Sequence, residues 1–334
     1  MKAIRFDHYG EPAQVLMVQE CPLPEPGKGE VRVRMLASPI NPSDLLFVRG
    51  QYAGVQPHFP APVGFEGVGR VDALGPQVQS PVPGQRVAVL NSQGGNWADY
   101  AVVPAHDLFP VPDDLPDEQV ACYIINPATA ILMLRHVLAI PAGEWLLQSA
   151  ANSELGRMII RLAKHDGVRT INVVRRREVA AELQDLGADA VIVSTEGPID
   201  EQVRRIVDPQ GVKYAIDPVA GETGTEMFQA LDEEGRMLVY GSLTGEPIRV
   251  GADPRSILAG RRILEVFFVG YWLPRLDETA RRQLVQEIVT LLRESILTTS
   301  AARTFSLDEI GTAVRQAEAP GRQGKILLVP QNGS

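Results

Sequence analysis

Cysteine is nearly absent. Cys21 and Cys122 are the only two in 334 residues, far apart, with no Cys-x-x-Cys pair and no Cys–His cluster. That excludes a zinc ribbon or a disulfide-built scaffold and fits a reducing compartment. The histidines His8, His58, His106, His136 and His165 are scattered without metal-like neighbours and read as structural or surface residues, so no metal is expected. Basic charge is also short: 32 Lys and Arg face 41 Asp and Glu, a net charge of −9. A general nucleic-acid or anionic-membrane surface needs a basic face and is excluded. Lysine is rarer still, with Lys2, Lys28, Lys164, Lys213 and Lys325 against 27 arginines, which reads as a compositional habit without functional content. No apolar run approaches the ~20 residues of a membrane helix. The longest, 263–273, contains Glu265 and Gly270 and is expected to be a buried strand. The first residues carry neither an apolar signal stretch nor an Arg/Ser-rich leader, so a cytoplasmic protein is expected.

What is present is ordinary for a globular chain, with 45% apolar and 22% charged residues. The length suggests about two domains. Before residue 120, short β-like runs at 31–35, 68–74, 86–90 and 100–103 alternate with turn signals such as Pro26-Gly27-Lys28-Gly29 and Pro83-Gly84. They suggest a Greek-key or barrel-like β domain. From 144 onward the texture becomes strand–helix–strand. Strands are expected at 144–148, 170–174, 190–193, 214–216 and 236–240. Helices are expected at 155–165 and 178–186, the second ending at Gly187. Such alternation predicts a parallel sheet with right-handed crossovers. An amphipathic helix at 278–293 and a strand at 325–329 close the chain. The fold class is therefore α/β.

The first strand–helix turn of the second half reads Gln148-Ser149-Ala150-Ala151-Asn152-Ser153-Glu154-Leu155-Gly156. A dinucleotide fold places G-x-G-x-x-G here. Ala151, Ser153 and Gly156 stand at the glycine positions, so only the third glycine remains, and an ordinary strand–helix turn explains the segment equally well. The end of the next strand is more specific. An NAD site puts an acid there for the ribose hydroxyls, whereas this chain has Arg175-Arg176-Arg177. Guanidinium groups form paired bonds to a 2′-phosphate, and cations are otherwise disfavoured at a helix start. NADPH is the expected cofactor, against the alternative of a solvated basic helix start.

The order of a β-rich half, a Rossmann-like segment and a return to the first domain resembles the medium-chain dehydrogenase/reductase superfamily over nearly the full length. Zinc alcohol dehydrogenases of that superfamily use a Cys and a Gly-His-Glu motif. Ser38 and Phe65, in Ser38-Pro39-Ile40-Asn41-Pro42-Ser43-Asp44 and Gly64-Phe65-Glu66-Gly67, stand at the Cys and His positions. The resemblance is thus to a zinc-free branch. Within it, Asn41-Pro42-Ser43-Asp44, Arg49-Gly50-Gln51-Tyr52, Asn126-Pro127-Ala128-Thr129-Ala130, Ala151-Asn152-Ser153, the 170–175 stretch and Gly270-Tyr271-Trp272-Leu273 resemble mitochondrial-type trans-2-enoyl thioester reductases. The quinone-reductase branch is the alternative. Glu154 departs from the pattern, which has Gly there.

The resemblance implies a GroES-like catalytic domain over 1–120 with 268–334, and a Rossmann-like cofactor domain over 121–267. It implies NADPH-dependent reduction of an activated C=C bond in a trans-2-enoyl thioester carried on coenzyme A or acyl carrier protein. The alternatives are an NADPH:quinone or small-enone oxidoreductase and a nucleotide-binding protein without catalysis. Tyr52 is implied as proton donor or oxyanion partner, the alternative being a packed loop tyrosine. Asn41, Trp97 and Trp272 are implied at the catalytic site. Their alternatives are turn chemistry for Asn41, a hairpin anchor for Trp97, and a core or dimer-interface role for Trp272 and its neighbour Tyr271. On the cofactor side the expected residues are Asn41, Thr129, Ala151, Asn152, Ser153, Gly156, Arg175, Arg176, Arg177, Tyr240 and Gly241. A homodimer is expected, paired through the strand at 263–269.

Overall fold

The computed structural model describes residues 1–52, 55–207, 211–250, 260–319, 321–322 and 324–331. Ala53 and Gly54, which follow Tyr52 in the sequence, lie outside the described residues. The chain divides into two compact units. The first comprises Met1–Asn126, Arg282–Arg293 and Thr298–Ser334, and the second Pro127–Arg281 and Glu294–Leu297.

In the first unit, period-two alternation makes the long strand Glu30–Pro39. Val31, Val33, Met35 and Ala37 face inward and Arg32 and Arg34 outward. It is the centre of a seven-stranded sheet ordered Ala301–Phe305, Lys325–Leu328, Glu30–Pro39, Glu66–Leu74, Arg86–Leu90, Leu108–Pro110, with Tyr100–Pro104 also paired to Glu30–Pro39. The Ala301–Phe305 and Lys325–Leu328 pair is parallel; the other pairings are antiparallel. Valines 31, 33, 71, 87, 89 and 103 fill one core. A second core gathers Ile4, Phe6, Ile40, Phe47, Phe65, Trp97, Ile326 and Leu328. The short helix Pro42–Val48 follows Asn41, which caps it.

The second unit holds a six-stranded parallel sheet ordered Ala190–Val193, Arg169–Val174, Trp145–Gln148, Val212–Asp217, Leu231–Val239, Ile263–Val266. The strand order reverses beside Trp145–Gln148, the switch point at which such sheets bind ligands. Strands buried on both faces read as apolar runs, as Ile171, Val173, Ala215 and Met237 show. The helix Glu154–His165 matches the expected one and buries Met158, Ile159, Leu162 and Ala163. The expected helix at 178–186 begins its α-helical turns at Ala180, after a 3₁₀ turn over Arg177–Val179.

The segment 263–273 corrects its sequence reading. Only Ile263–Val266 is a strand; the chain then enters the short helix Val269–Trp272. The strand is an edge rather than buried, and Val266 is 78% exposed. An apolar run marks a surface that favours burial but does not say whether a neighbouring strand lies on both sides. Among the described residues only Leu231–Val239 pairs with it. Among the described residues no helix is long and apolar enough to cross a membrane.

Candidate active site

In the first unit, Asn41, Asp44, Glu66 and Lys325 form one network, each no more than 4% exposed. Asn41 ends the turn after Glu30–Pro39 and is gripped from three directions. Its Nδ2 donates to Glu66 Oε1 at 2.7 Å and its backbone N–H to Asp44 Oδ2 at 2.8 Å. Its Oδ1 accepts from Lys325 Nζ. Glu66 Oε2 also accepts the Ile125 backbone N–H at 3.0 Å, at the start of the helix Ile125–Ile131. Asp44 Oδ1 accepts the Phe65 N–H at 3.0 Å. Two carboxylates, one ammonium and one amide are thus enclosed together, and every contact is needed to offset their desolvation.

Tyr52 lies beside this network. Its half-buried ring stacks on Phe65 with centroids 5.2 Å apart and planes at 27°. Burial, with a second contribution from the Asp44 charge, pushes its phenol up to about 12. The ring is therefore a hydrogen-bond donor throughout the neutral range. Burial pushes Asp44 up to about 7, reinforced by Glu66 and opposed by the Asn41 and Phe65 N–H groups and by Lys325. Burial likewise raises Glu66, against the opposing effects of Lys325, the Ile125 and Ile124 N–H groups and the Asn41 side chain. Trp97 is fully buried, donates from Nε1 to the Pro39 carbonyl at 3.1 Å and lies against Gly64. A Cβ at Gly64, already at φ +99°, would stand 2.4 Å from the indole.

The Cys-to-Ser and His-to-Phe positions are packed for other purposes. Ser38 is buried and donates to the Asn96 carbonyl at 2.9 Å, and Phe65 supports Tyr52. Among the described residues no group of three or more His, Cys, Asp or Glu could hold a metal.

Of the expected cofactor residues, Ala151 to Gly156, Arg175 to Arg177, and Tyr240 with Gly241 follow the carboxyl ends of the strands Trp145–Gln148, Arg169–Val174 and Leu231–Val239, whereas Thr129 lies in the helix Ile125–Ile131 and Asn41 in the first unit. Ser153 caps the helix Glu154–His165 by accepting from the Gly156 N–H at 3.1 Å. A Cβ at Gly156 would lie 2.6 Å from the Ala151 carbonyl, so the retained glycine sits where chain and helix approach most closely. Ala150 takes φ +48° in the turn that lacks the earlier glycines. Asn152 is half-buried and its side chain accepts from Arg157 at 2.7 Å. Glu154 occupies the first helical turn, half-buried, on the face where its charge reaches Arg161.

Arg175, Arg176 and Arg177 are exposed at the end of Arg169–Val174. Arg177 is ion-paired to Glu196, whereas Arg175 and Arg176 enter no ion pair among the described residues. Thr129 is buried in its helix. The Tyr240 hydroxyl is out of solvent with no hydrogen-bond partner among the described residues, and burial raises its pKa. Gly241 lies against the backbone of Pro218. Asp217, at the end of Val212–Asp217, is fully buried and saturated. It accepts from Ser149 Oγ and from the N–H groups of Val219 at 2.9 Å and Ala220 at 2.8 Å. A helix N-terminus closed by Ser153, two unpaired guanidinium groups and an orphaned buried phenol fit a phosphorylated dinucleotide. Trp272 is half-buried and stacks near Phe267 at 6.3 Å, while Tyr271 is exposed beneath the Arg275 guanidinium.

A β-sheet unit joined to a parallel-sheet unit with this turn defines a class of two-part dehydrogenases. Residues 27–113 match the model of the alcohol dehydrogenase GroES-like domain, and residues 155–289 that of the zinc-binding dehydrogenase. The chain belongs to the medium-chain dehydrogenase/reductase superfamily, in its zinc-free branch. Among similar proteins, the mitochondrial enoyl-[acyl-carrier-protein] reductase of Xenopus tropicalis is 33% identical over 98% of this chain and 95% of its own length. A putative NADPH:quinone reductase from Bacillus thuringiensis superposes with a TM-score of 0.91 at 29% identity, over 98% of each chain. The Etr1p/NADP/crotonyl-CoA complex superposes with a TM-score of 0.85 at 25% identity, over 98% of this chain and 99% of that one.

Asp44 and Glu66 lie within Asn41-Pro42-Ser43-Asp44 and Gly64-Phe65-Glu66-Gly67, and no local pattern marks them or Lys325 as partners. The one available signal was rarity: position 325 keeps an ammonium in a chain that otherwise prefers arginine.

Folding raises the Asp44 pKa above its unfolded value, so its contribution to stability is greatest below pH ~4 and is lost as pH rises through about 7. Asp44→Asn removes that titration while giving up one accepted N–H bond. Between pH 4 and 8 the stability of the variant relative to wild type should therefore rise by on the order of 3–4 kcal/mol. Urea midpoints across that range test this, and a pH-independent difference would refute the buried titration.

Proposed function

We propose that this chain is an NADPH-dependent oxidoreductase that reduces an activated C=C bond, with a trans-2-enoyl thioester on coenzyme A or acyl carrier protein as substrate. The observation that carries the reading is the Tyr52 phenol, kept protonated and stacked on Phe65. Hydride addition to the β-carbon of an enoyl thioester leaves negative charge on the thioester oxygen and calls for a proton at the α-carbon. A positioned phenol can stabilise the first and supply the second. Quinone reduction instead places protons on oxygens that exchange with water and needs no such donor. Full-length similarity to enoyl-acyl-carrier-protein reductases supports the same reading. The likeness to an NADPH:quinone reductase keeps a quinone or small enone as the second substrate class.

Bound NADPH would supply the hydride. On the protein side, Ser153 and the helix it caps would hold the pyrophosphate, and Arg175 and Arg176 the 2′-phosphate. Thr129, Ala151, Asn152, Gly156, Tyr240 and Gly241 would line the rest. Arg177, already paired with Glu196, would contribute less to the ligand than its two neighbours. Asn41 has its amide and Trp97 its indole N–H engaged internally. Their part is to shape the site around Tyr52, while Trp272 would border the acyl group.

The exposed edge Ile263–Val266, with Val266 and nearby Phe268 uncovered, is the surface on which a homodimer would form. Light scattering should return twice 36.4 kDa, and Val266→Lys should shift the protein toward monomer; a monomeric wild type would overturn this. The near-absence of cysteine supports a reducing, cytoplasmic location, whereas the relative cited above is named mitochondrial. Cell fractionation separates the two.

Stopped-flow NADPH oxidation with crotonyl-CoA against benzoquinone tests the substrate class. Faster turnover of the thioester is expected, and turnover of the quinone alone would replace the reading. Tyr52→Phe should lower kcat for crotonyl-CoA by about 10²–10⁴-fold with NADPH affinity unchanged. A variant within twofold of wild type would move Tyr52 to a packing role.

Replacing Arg175 and Arg176 by Ala should weaken NADPH by about tenfold or more, roughly 1.4 kcal/mol, and leave NADH nearly unaffected. Fluorescence titration of both cofactors decides it, since equal losses would reject the 2′-phosphate assignment.

A further inference from the structure

The buried network holds a cation that the proposed reaction does not use. Lys325 opens the closing strand Lys325–Leu328, which pairs antiparallel to Glu30–Pro39 through Leu327 opposite Pro39 and Leu328 opposite Ser38. That register brings its ammonium to Asn41 Oδ1, across 284 residues of sequence, in a site where both residues are buried. Its charge also acts on Glu66 and Asp44.

Two supports of the Tyr52 ring run through these partners. From below, Phe65 carries the ring, and its N–H is fixed by Asp44 Oδ1. From the chain side, Tyr52 follows the helix Pro42–Val48. That helix is capped by the reciprocal Asn41–Asp44 pair and continued through the bond from the Gln51 N–H to the Leu46 carbonyl at 2.8 Å. Without the ammonium, Glu66 and Asp44 would be two enclosed carboxylates with no cation, and the Asn41 carbonyl would lose its donor. Buried pairs are far more sensitive to loss of one member than to replacement of both.

The geometry points to Lys325 as a positioning residue for the Tyr52 hydroxyl: from the closing strand it locks Asn41 against Glu66, and through Asp44 it fixes both the helix before Tyr52 and the Phe65 ring beneath it. The inference rests on Tyr52 being the proton donor. Lys325 itself touches no reacting atom; it acts by holding the donor in one place.

A mutant cycle on the full-length protein tests it, with wild type, Lys325→Met, Tyr52→Phe and the double variant assayed on crotonyl-CoA alongside melting curves. Lys325→Met should lower kcat about tenfold at unchanged KM for NADPH, and the double variant should be no slower than Tyr52→Phe alone. The same tenfold loss in both backgrounds, or Lys325→Met within twofold of wild type, would overturn the proposal and leave the donor reading standing. Tyr52→Phe within twofold of wild type would remove the donor reading, and the proposal with it.

The pH dependence of kcat adds a readout that simple loosening does not move. The groups facing the site are Asp44, Glu66, Lys325 and Tyr52, and loss of the ammonium should shift the inflection upward. An unshifted inflection counts against the proposal. Ring resonances of labelled tyrosine, with Tyr52 assigned by its loss in Tyr52→Phe, read the position without turnover. They should move or broaden in Lys325→Met, and unchanged signals would refute positioning. If Lys325→Met fails to fold, Lys325→Met with Glu66→Gln neutralises both partners, and wild-type kcat in that variant overturns the inference.

Discussion

One ammonium enclosed with two carboxylates sets the order of the first unit. Charges removed from water are tolerated only where every partner is in place, and here the partners come from separate stretches of chain. Asn41 lies in the turn after the long central strand, Asp44 in the helix it caps, Glu66 at the head of the next strand and Lys325 on the closing one. A one-residue slip of Lys325–Leu328 against Glu30–Pro39 would turn the lysine to the opposite face of the sheet. The network therefore selects the register as well as occupying it. The Phe65–Tyr52 stack rests on that selection.

The parallel-sheet unit meets its own constraint with fewer glycines than its class usually employs. The turn after Trp145–Gln148 places Ala150 in the left-handed region and keeps a glycine only at 156, where any side chain would strike the Ala151 carbonyl. Buried amides hold the turn from beneath. Gln148 Nε2 donates to the Gly156 carbonyl at 3.1 Å and to Asn172 Oδ1 at 2.6 Å, and Asn172 in turn donates to Thr170 and to the Ala190 carbonyl. Asp217 secures the adjacent loop through three donors. The polar side chains that sequence patterning treats as interruptions of apolar strands are here the ties between neighbouring strands and the helix start.

Much of the architecture was legible because it is local. Alternation in Glu30–Pro39, the 3.6-residue spacing of Glu154–His165 and the helix Glu278–Arg293 each carry their own period. Most strand ends moved by a residue or two, but Leu231–Val239 begins five residues before its expected start and Glu30–Pro39 runs four beyond its expected end, since hydrogen bonding rather than hydropathy defines them. The stretch 263–273 was misread for the same reason in reverse: its apolar content is real, but its position at the sheet edge is a property of its neighbours. The loss of the Cys and His positions was visible at Ser38 and Phe65, while the use of Phe65 as a platform for Tyr52 was not.

By itself the sequence determined the class of fold, the order of its two parts, the absence of a thiolate–imidazole pair at Ser38 and Phe65, and the cationic triplet at 175–177. Each is written in neighbouring residues, whose spacing is preserved whatever the rest of the chain does. The tertiary structure alone decided which arginine is engaged by Glu196, that Asn41 faces inward, and that Lys325 meets Asn41 beside Glu66 and Asp44. Contacts between residues remote in the chain leave no period and no motif. They exist only once strand pairing has set a register, and a buried charge takes its meaning from the partners that register supplies.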